Sequence, residues 1–335
     1  MPEKKILLGH GSGGRMMHAL VRGLFLAKFN NPILKELSDS AYINYHPALA
    51  FSTDSFVVSP LFFPGADIGR LAVCGTINDL VMQGSTPEYL SLALIIEEGL
   101  DYKILERIVN SLSREAKQAG VCFVTGDTKV VERGSCDKVF INTSGIGRII
   151  SRNRLCLGNI KPKDRVIVTG NIAQHGLAVL AKRKDLGLGF NIRSDCAPLN
   201  NLLVPILKKT NGIKFMRDPT RGGLATTLNE IACGCRLGIM INEKDIPIAA
   251  KSRAACEVLG IDPLYVACEG RAVLIVKEKD AGLILGLLRR HPLGRDAREI
   301  AVVTKGPAGE VVLNTVLGTQ RIVDMLVSDP LPRIC

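Results

Sequence analysis

The 335-residue sequence contains no tryptophan, and aromatic residues make up only 4% of it. Its net charge of +11 therefore comes with few of the stacking platforms that single-stranded nucleic acid requires. The basic residues are also scattered, apart from short runs such as Lys182-Arg183-Lys184. No nucleic-acid partner is expected; the excess suits a polyanionic small molecule, an acidic partner or simply a solvated surface. No apolar run approaches the roughly 18 residues of a membrane span, so no membrane partner is expected. The stretch Met1-Pro2-Glu3-Lys4-Lys5-Ile6-Leu7-Leu8 is broken by Gly9 and His10 before it could act as an export signal, which makes the cytoplasm the expected location. Zinc spacing is missing as well. Cys233-Gly234-Cys235 has one intervening residue and no second pair nearby, and ten cysteines without an export signal do not predict a disulfide framework.

What is present fits a compact mixed α/β protein: 47% hydrophobic residues, 33 glycines and enough length for two cores. Residues 48–58 alternate as a strand, 67–82 read as a helix, 88–96 as a strand, 102–119 as an amphipathic helix, 122–125 as a buried strand and 138–150 as a further strand. A junction is expected over 158–164. Beyond it the pattern predicts strands at 165–169, 238–241, 272–276, 301–304 and 310–313. Helices are predicted over 175–183, 224–235, 251–259 and 280–290. The expected division is a glycine-rich segment with a helix over 1–40, domains over 41–157 and 158–327, and a tail over 328–335. Cys74, Cys122, Cys256 and Cys268 sit among apolar residues and are expected as small core hydrophobes.

Glycines and carboxylates carry the chemistry. Gly9-His10-Gly11-Ser12-Gly13-Gly14-Arg15 precedes a helical pattern over 16–29, where inward-turned N–H groups could cradle phosphate; a flexible linker would look the same. It is neither a Walker A box nor a dinucleotide fingerprint. Further on, Asp54 lies late in a strand, Asp79 within a helix beside Asn78, and Asp127 in Gly126-Asp127-Thr128-Lys129. Asp218 opens Asp218-Pro219-Thr220-Arg221-Gly222-Gly223 before a helix. Each of these is embedded in apolar or glycine-rich sequence, and buried charges need shared cations. Magnesium bound by one or two carboxylates together with substrate phosphates would supply them, which fits an ATP site built from several loops. Helix capping or a turn would explain any one of these aspartates alone, Asp79 least well. Glu269 interrupts an apolar stretch and is either a base of raised pKa or a structural acceptor. Lys129 could clamp phosphate or take a proton. His175 adjoins a glycine turn and equally suits a helix start.

The segment Ser328-Asp329-Pro330-Leu331-Pro332-Arg333-Ile334-Cys335 looks unable to join a helix or sheet, because its prolines delete donors and fix φ. Its thiol is expected to be raised by the adjacent α-carboxylate and partly lowered again by Arg333. A prenylation box is excluded, since its cysteine lies four residues from the end. Read alone, the segment also suits a frayed terminus or an intermolecular disulfide.

In order along the chain, His10-Gly11-Ser12-Gly13-Gly14, Asn78-Asp79-Leu80, Thr125-Gly126-Asp127-Thr128-Lys129-Val130, Asp218-Pro219-Thr220-Arg221-Gly222-Gly223, Cys268-Glu269-Gly270 and Pro332-Arg333-Ile334-Cys335 resemble the HypE family of hydrogenase maturation factors. The likeness covers essentially the whole length, and the tail is its most specific part. It implies the superfamily of aminoimidazole ribonucleotide synthetase, selenophosphate synthetase and thiamine-monophosphate kinase. The implied fold is α+β, with an N-terminal domain over 41–157 for ATP binding and dimerisation, a C-terminal α+β domain over 158–327 and a mobile tail. The implied activity is an ATP-dependent carbamoyl dehydratase. A HypF-type carbamoyltransferase would load Cys335, ATP would dehydrate the thiocarbamate to a thiocyanate, and a HypC–HypD complex would receive cyanide for the iron of [NiFe]-hydrogenase. On this reading Cys335, Glu269 and Lys129 are catalytic. Asp39, Asp54, Asp79 and Asp127 hold Mg2+, while Asp54, Asp79, Asp127, Asp218, Arg221, Gly222, Gly223, Gly13 and Gly14 bind the nucleotide. A selenophosphate synthetase-like enzyme would be expected to carry a cysteine or selenocysteine in the glycine loop, which has neither. A scaffold whose tail is a peptide ligand leaves the dispersed carboxylates without a purpose.

Overall fold

The computed structural model describes residues 14–26, 34–44, 46–184, 191–326, 331 and 333–335. Helix α1 (Arg15–Leu20) runs into a π-helical turn, Val21–Leu26. His10 and Gly13 of the glycine loop, and the end of the helix expected over 16–29, lie outside the described residues.

The first layer contains β1 (Ala41–Ile43), β2 (Leu49–Phe56), a ribbon of β3 (Phe62–Phe63) and β4 (Ala66–Asp67), α2 (Ile68–Met82), β5 (Ser85–Glu97), α3 (Tyr102–Ala119), β6 (Cys122–Val131) and β7 (Val139–Ile149). Its five-stranded sheet has the order β1-β2-β7-β5-β6, with only the β5–β6 pair parallel. Helix α2 is apolar nearly all round, as a helix buried on every side must be. Asp67 caps it by accepting the Arg70 N–H at 2.9 Å. The amphipathic α3 starts at the Asp101 cap and stops at Gly120, whose left-handed φ of 71° suits glycine.

The second layer contains β8 (Arg165–Val168), α4 (Gln174–Lys184), α5 (Asn200–Lys209), β9 (Ile213–Arg217), α6 (Gly223–Cys235), β10 (Gly238–Asn242), α7 (Ala250–Leu259), β11 (Val273–Val276), α8 (Ala281–Arg289), β12 (Arg298–Thr304), β13 (Val311–Asn314) and β14 (Gln320–Ile322). Its seven-stranded sheet runs β14-β13-β10-β12-β8-β11-β9. One apolar core is shared between the layers, because α2 packs on α5 and Ile77, Leu199, Leu202 and Ile284 fall in a single cluster. No described helix is long and apolar enough to cross a membrane.

Three expectations are corrected. Strand β6 is not buried: it is the outer edge of its sheet, ten residues long and mostly exposed. Cys122 is consequently exposed, whereas Cys74, Cys256 and Cys268 are buried. Helix α5 has no counterpart in the sequence reading, because Pro205 interrupts its pattern. It forms because Leu202, Leu203, Ile206 and Leu207 bury one face against α2 and α8.

The third correction concerns the tail. Its last residues do join the fold, running antiparallel to 57–59 just beyond β2. Ser59 N–H donates to the Arg333 carbonyl at 3.3 Å, and Val57 N–H donates to the Cys335 carboxylate at 3.1 Å. Pro332 is outside the described residues, but Ile334 is only 4% exposed and belongs to the shared core. Burial of that side chain contributes about 2 kcal/mol to docking. The prolines do not prevent this, because Arg333, Ile334 and Cys335 have ordinary backbone groups.

Candidate active site

A cavity of about 1020 Å³ opens where β2, α2, the 217–221 turn, α1 and the tail converge. Its inner end is acidic, with Asp39, Asp54, Asp79, Asp218 and Glu269, while Arg15, Arg22 and Lys35 stand among its outer residues. Two arginines, Arg217 and Arg221, enter the acidic end.

Asp54 reaches the cavity because strand parity points it inward, toward α2; its partner in register, Thr143, is buried and donates to the Ala72 carbonyl of α2 at 3.0 Å. Asp79 projects from α2 and accepts from Ser52 Oγ of β2 at 2.7 Å. Ser40 Oγ donates to the Asp79 carbonyl at 3.1 Å, tying the 39–40 turn to the same helix. Asn78 points the other way. Its amide donates to the Ala197 and Glu269 carbonyls and its oxygen accepts from Leu199 N–H at 2.8 Å, which fastens the two layers together. The adjacent residues of Asn78-Asp79 therefore divide structure from chemistry.

Burial dominates the ionisation of these acids. It pushes Asp39 up to about 6, against the pull of Arg217. Burial first, and then the neighbouring carboxylates, raise Asp79 and Asp218 well above the usual range. Asp54 is also raised by burial, with Arg221 and a hydrogen bond to Asp79 opposing. Carboxyl oxygens of Asp39, Asp79 and Asp218 lie within 4.8 Å of one another. An all-oxygen donor set of this kind, too crowded to ionise fully alone, fits a hard divalent cation.

Arg217 bridges Asp39 and Glu230, at 3.1 Å to each, and His18 of α1 reaches Glu230 at 2.8 Å. Burial would raise Glu230, but Arg217 and His18 hold it below the usual range. Arg217, Glu230 and His18 were not foreseen as site residues. Glu230 had a signal, since it is the single charged residue of α6, Gly223–Cys235.

Cys335 lies at the same acidic end. Its thiol is pushed up to about 11 by burial, while a contact and hydrogen bond from Arg221 oppose the rise. Arg221 in turn is held charged first by Cys335, then by Asp54 and Asp79, against burial. The compensating cation is thus Arg221 and not Arg333, which donates instead to the Val57 carbonyl at 2.9 Å and pairs with Asp137 at 2.8 Å. Glu269 is 3% exposed; burial first and then Cys196, Asp218 and other acids raise it well above the usual range.

Other expected residues stand elsewhere. Asp127 and Lys129 form a 2.9 Å pair on the exposed edge strand. Asp127 is in register with Ala93 and Lys129 with Ile95, and Ala93 and Ile95 alternate with the inward Leu92 and Leu94. That parity sends Asp127 and Lys129 to the outer face of the sheet, opposite Asp54, so they do not line the cavity of this chain. Gly222 and Gly223 do not line it either. They form the turn into α6 with φ of 68° and 61°, and a side chain on Gly223 would meet the Leu264 and Val266 carbonyls at 2.7 Å. Gly14 is buried at the start of α1, where its carbonyl accepts from His18 N–H at 3.1 Å.

Models of the AIR synthase related protein family match this chain, the N-terminal domain over residues 37–149 and the C-terminal domain over 161–314. The chain belongs to that family. Within it, the chain is 45% identical to carbamoyl dehydratase HypE of Rhodobacter capsulatus over 99% of both chains. A crystal structure of HypE in complex with ATP superposes with a TM-score of 0.84 at 46% identity, covering 99% of this chain and 100% of that one. A HypE–HypF complex structure gives a TM-score of 0.88 at 44% identity, covering 92% of this chain and 100% of that one. The protein is accordingly a member of the HypE carbamoyl dehydratase family of enzymes, with its mixed α/β two-domain fold.

Proposed function

We propose that this protein uses ATP to dehydrate a thiocarbamate carried on its own Cys335 to a thiocyanate. The observation that carries the reading is the position of Cys335, beside Arg221 and Glu269 at the acidic end of the cavity. A relative at 46% identity binds ATP, and an acidic end joined to basic outer residues suits a cation–triphosphate pair. Asp39, Asp79 and Asp218 would hold Mg2+, with Asp54 beside them. When bound, Mg2+ would neutralise charge on the phosphates.

Oxide is a very poor leaving group, so water can leave the amide only after its oxygen is phosphorylated. The carbamoyl oxygen attacks the γ-phosphorus and ADP departs. The amide nitrogen gives up its two protons, the carbon–oxygen bond breaks, and phosphate leaves a C≡N group on sulfur. Positioning and charge neutralisation dominate such a transfer. Arg221 would hold the sulfur-borne group and the phosphate together. Glu269 would take one proton from nitrogen, because its raised pKa makes it a stronger base than an ordinary carboxylate, and the departing phosphate would carry off the other.

Lys129 and Asp127 would act across a homodimer. Phe51, Tyr89, Ile95 and Ile146 are all more than a third exposed on the outer face of the sheet that ends in β6, an apolar surface suited to a second copy of the chain. A HypF-type carbamoyltransferase would load the thiol, consistent with the HypE–HypF complex of a relative, and a HypC–HypD complex would receive the cyanide.

The test is the mass of the C-terminal peptide after incubation with carbamoylating partner and ATP. The expected result is addition of a carbamoyl group followed by loss of water. Carbamoylation without that loss when ATP is hydrolysed would overturn the reaction.

A further inference from the structure

Helix α4 does not line the cavity, yet it grips the end of the tail at successive carbonyls. His175 Nε2 lies 2.9 Å from the Ile334 carbonyl oxygen. Arg183, near the other end of the helix, donates to the Arg333 carbonyl at 2.7 Å and to the Ser59 carbonyl at 2.8 Å. His175 is wholly buried, with its ring edge-on to Phe63 at 5.4 Å.

The partners of His175 define its tautomer. A carbonyl only accepts, so Nε2 carries the hydrogen. Nδ1 of the neutral ring is then an acceptor, satisfied by Ser194 Oγ at 2.8 Å. Ser194 Oγ is itself fixed by accepting from Cys196 N–H at 3.0 Å, and Ser194 N–H donates to the Pro64 carbonyl at 2.8 Å. Each donor in this chain points toward the tail: Cys196 N–H to Ser194, Ser194 O–H to His175, His175 N–H to Ile334. A buried histidine needs its nitrogens satisfied, but it does not need the last peptide of a tail as the partner.

We propose that His175, oriented by Ser194, is a positioning residue that latches the Ile334 carbonyl and so holds the Cys335 sulfur at Arg221 and Glu269. This rests on the reading of Cys335 as the substrate carrier. His175 acts only through Ile334, because it touches neither the cavity nor the thiol. The latch is backbone-directed and therefore works whether the sulfur is free or loaded.

The experiment is timed alkylation of the full-length protein with N-ethylmaleimide, read as modification of the C-terminal peptide, with exposed Cys233 and Cys122 as internal references. Loss of one hydrogen bond lowers the docked population, so His175→Ala is expected to speed Cys335 alkylation about tenfold. His175→Gln places an amide donor near the Nε2 position and is expected to restore the slow rate. Ser194→Ala should lie between them. The reference cysteines should react at unchanged rates in every variant that keeps the fold. Equal Cys335 rates in wild type and His175→Ala would overturn the latch, as would a His175→Gln rate matching His175→Ala. Should His175→Ala fail to fold, the Ser194→Ala and His175→Gln rates decide the matter in the same way. Failure of the wild-type C-terminal peptide to lose water would sink the dehydration reading and leave this alkylation contrast standing.

Discussion

Ser52 Oγ on β2 donates a 2.7 Å hydrogen bond to Asp79 Oδ2 on α2, so the sheet and the buried helix share one carboxylate. The bond orients Asp79 toward Asp39 and Asp218 without neutralising it. An acid raised by burial destabilises the fold whenever it ionises alone.

Asp79→Asn is therefore expected to have effects of opposite sign. ATP hydrolysis should fall by about two to three orders of magnitude, the scale for loss of an electrostatic group at phosphoryl transfer. The thermal midpoint measured without divalent cation at neutral pH should stay level or rise. Unchanged turnover would remove Asp79 from the cation site.

The pH dependence follows from the same acids. Asp39 titrates at 3.8 in ordinary surroundings and at about 6 in the fold. The folded site thus binds more protons than the unfolded chain, and the stability this provides is complete below pH 3.8 and lost as pH rises through about 6. Asp79 and Asp218 shift in the same direction. Mg2+ replaces those protons, so it should raise the thermal midpoint more at pH 7.5 than at pH 5. A larger effect at the lower pH would contradict the assignment.

Arg70 joins the layers by donating to the Cys196 carbonyl at 3.0 Å, and it lies 3.6 Å from the buried Glu115. Among the described residues Arg70→Ala leaves Glu115 with only Arg114, at 3.2 Å, and should cost about 3 kcal/mol in denaturant unfolding. Adding Glu115→Gln should recover part of that loss, because the buried charge goes with it. No recovery in the double variant would show that the Cys196 bond alone carries the effect.

If Lys129 serves the cavity of a second protomer, Asp79→Asn and Lys129→Ala proteins are each inactive but complement one another. In an equal mixture half of the dimers are mixed and one of their two sites is intact, which predicts about a quarter of the wild-type rate. Absence of recovery after subunit exchange would place Lys129 outside the reaction.

Cys335→Ala should retain ATP binding by calorimetry while accepting no carbamoyl group. The backbone bonds at Val57 and Ser59 do not involve the thiol, so the tail remains docked. Loss of ATP affinity would mean that the sulfur itself belongs to the nucleotide site.

Much of this could be read from the residues alone. Periodicity identified α2 and α3 closely, because a wholly apolar helix and an amphipathic one write different patterns. Carboxylates set in apolar sequence marked Asp54, Asp79, Asp218 and Glu269, since few reasons exist to bury a charge there. The terminal thiol stood out by its setting. Other features depended on packing between distant segments. Strand parity and the edge position of β6 decide that Asp54 faces inward while Asp127 and Lys129 face outward. Sequence order cannot show which strand lies outermost. The cation that offsets the rise in the Cys335 thiol is Arg221 and not the adjacent Arg333, because the Arg333 guanidinium is turned away to the Val57 carbonyl and Asp137. The sequence by itself determined which groups are costly to bury. Only the tertiary structure decided which of them share a cavity, because that depends on register, on the face each strand presents and on where the tail docks.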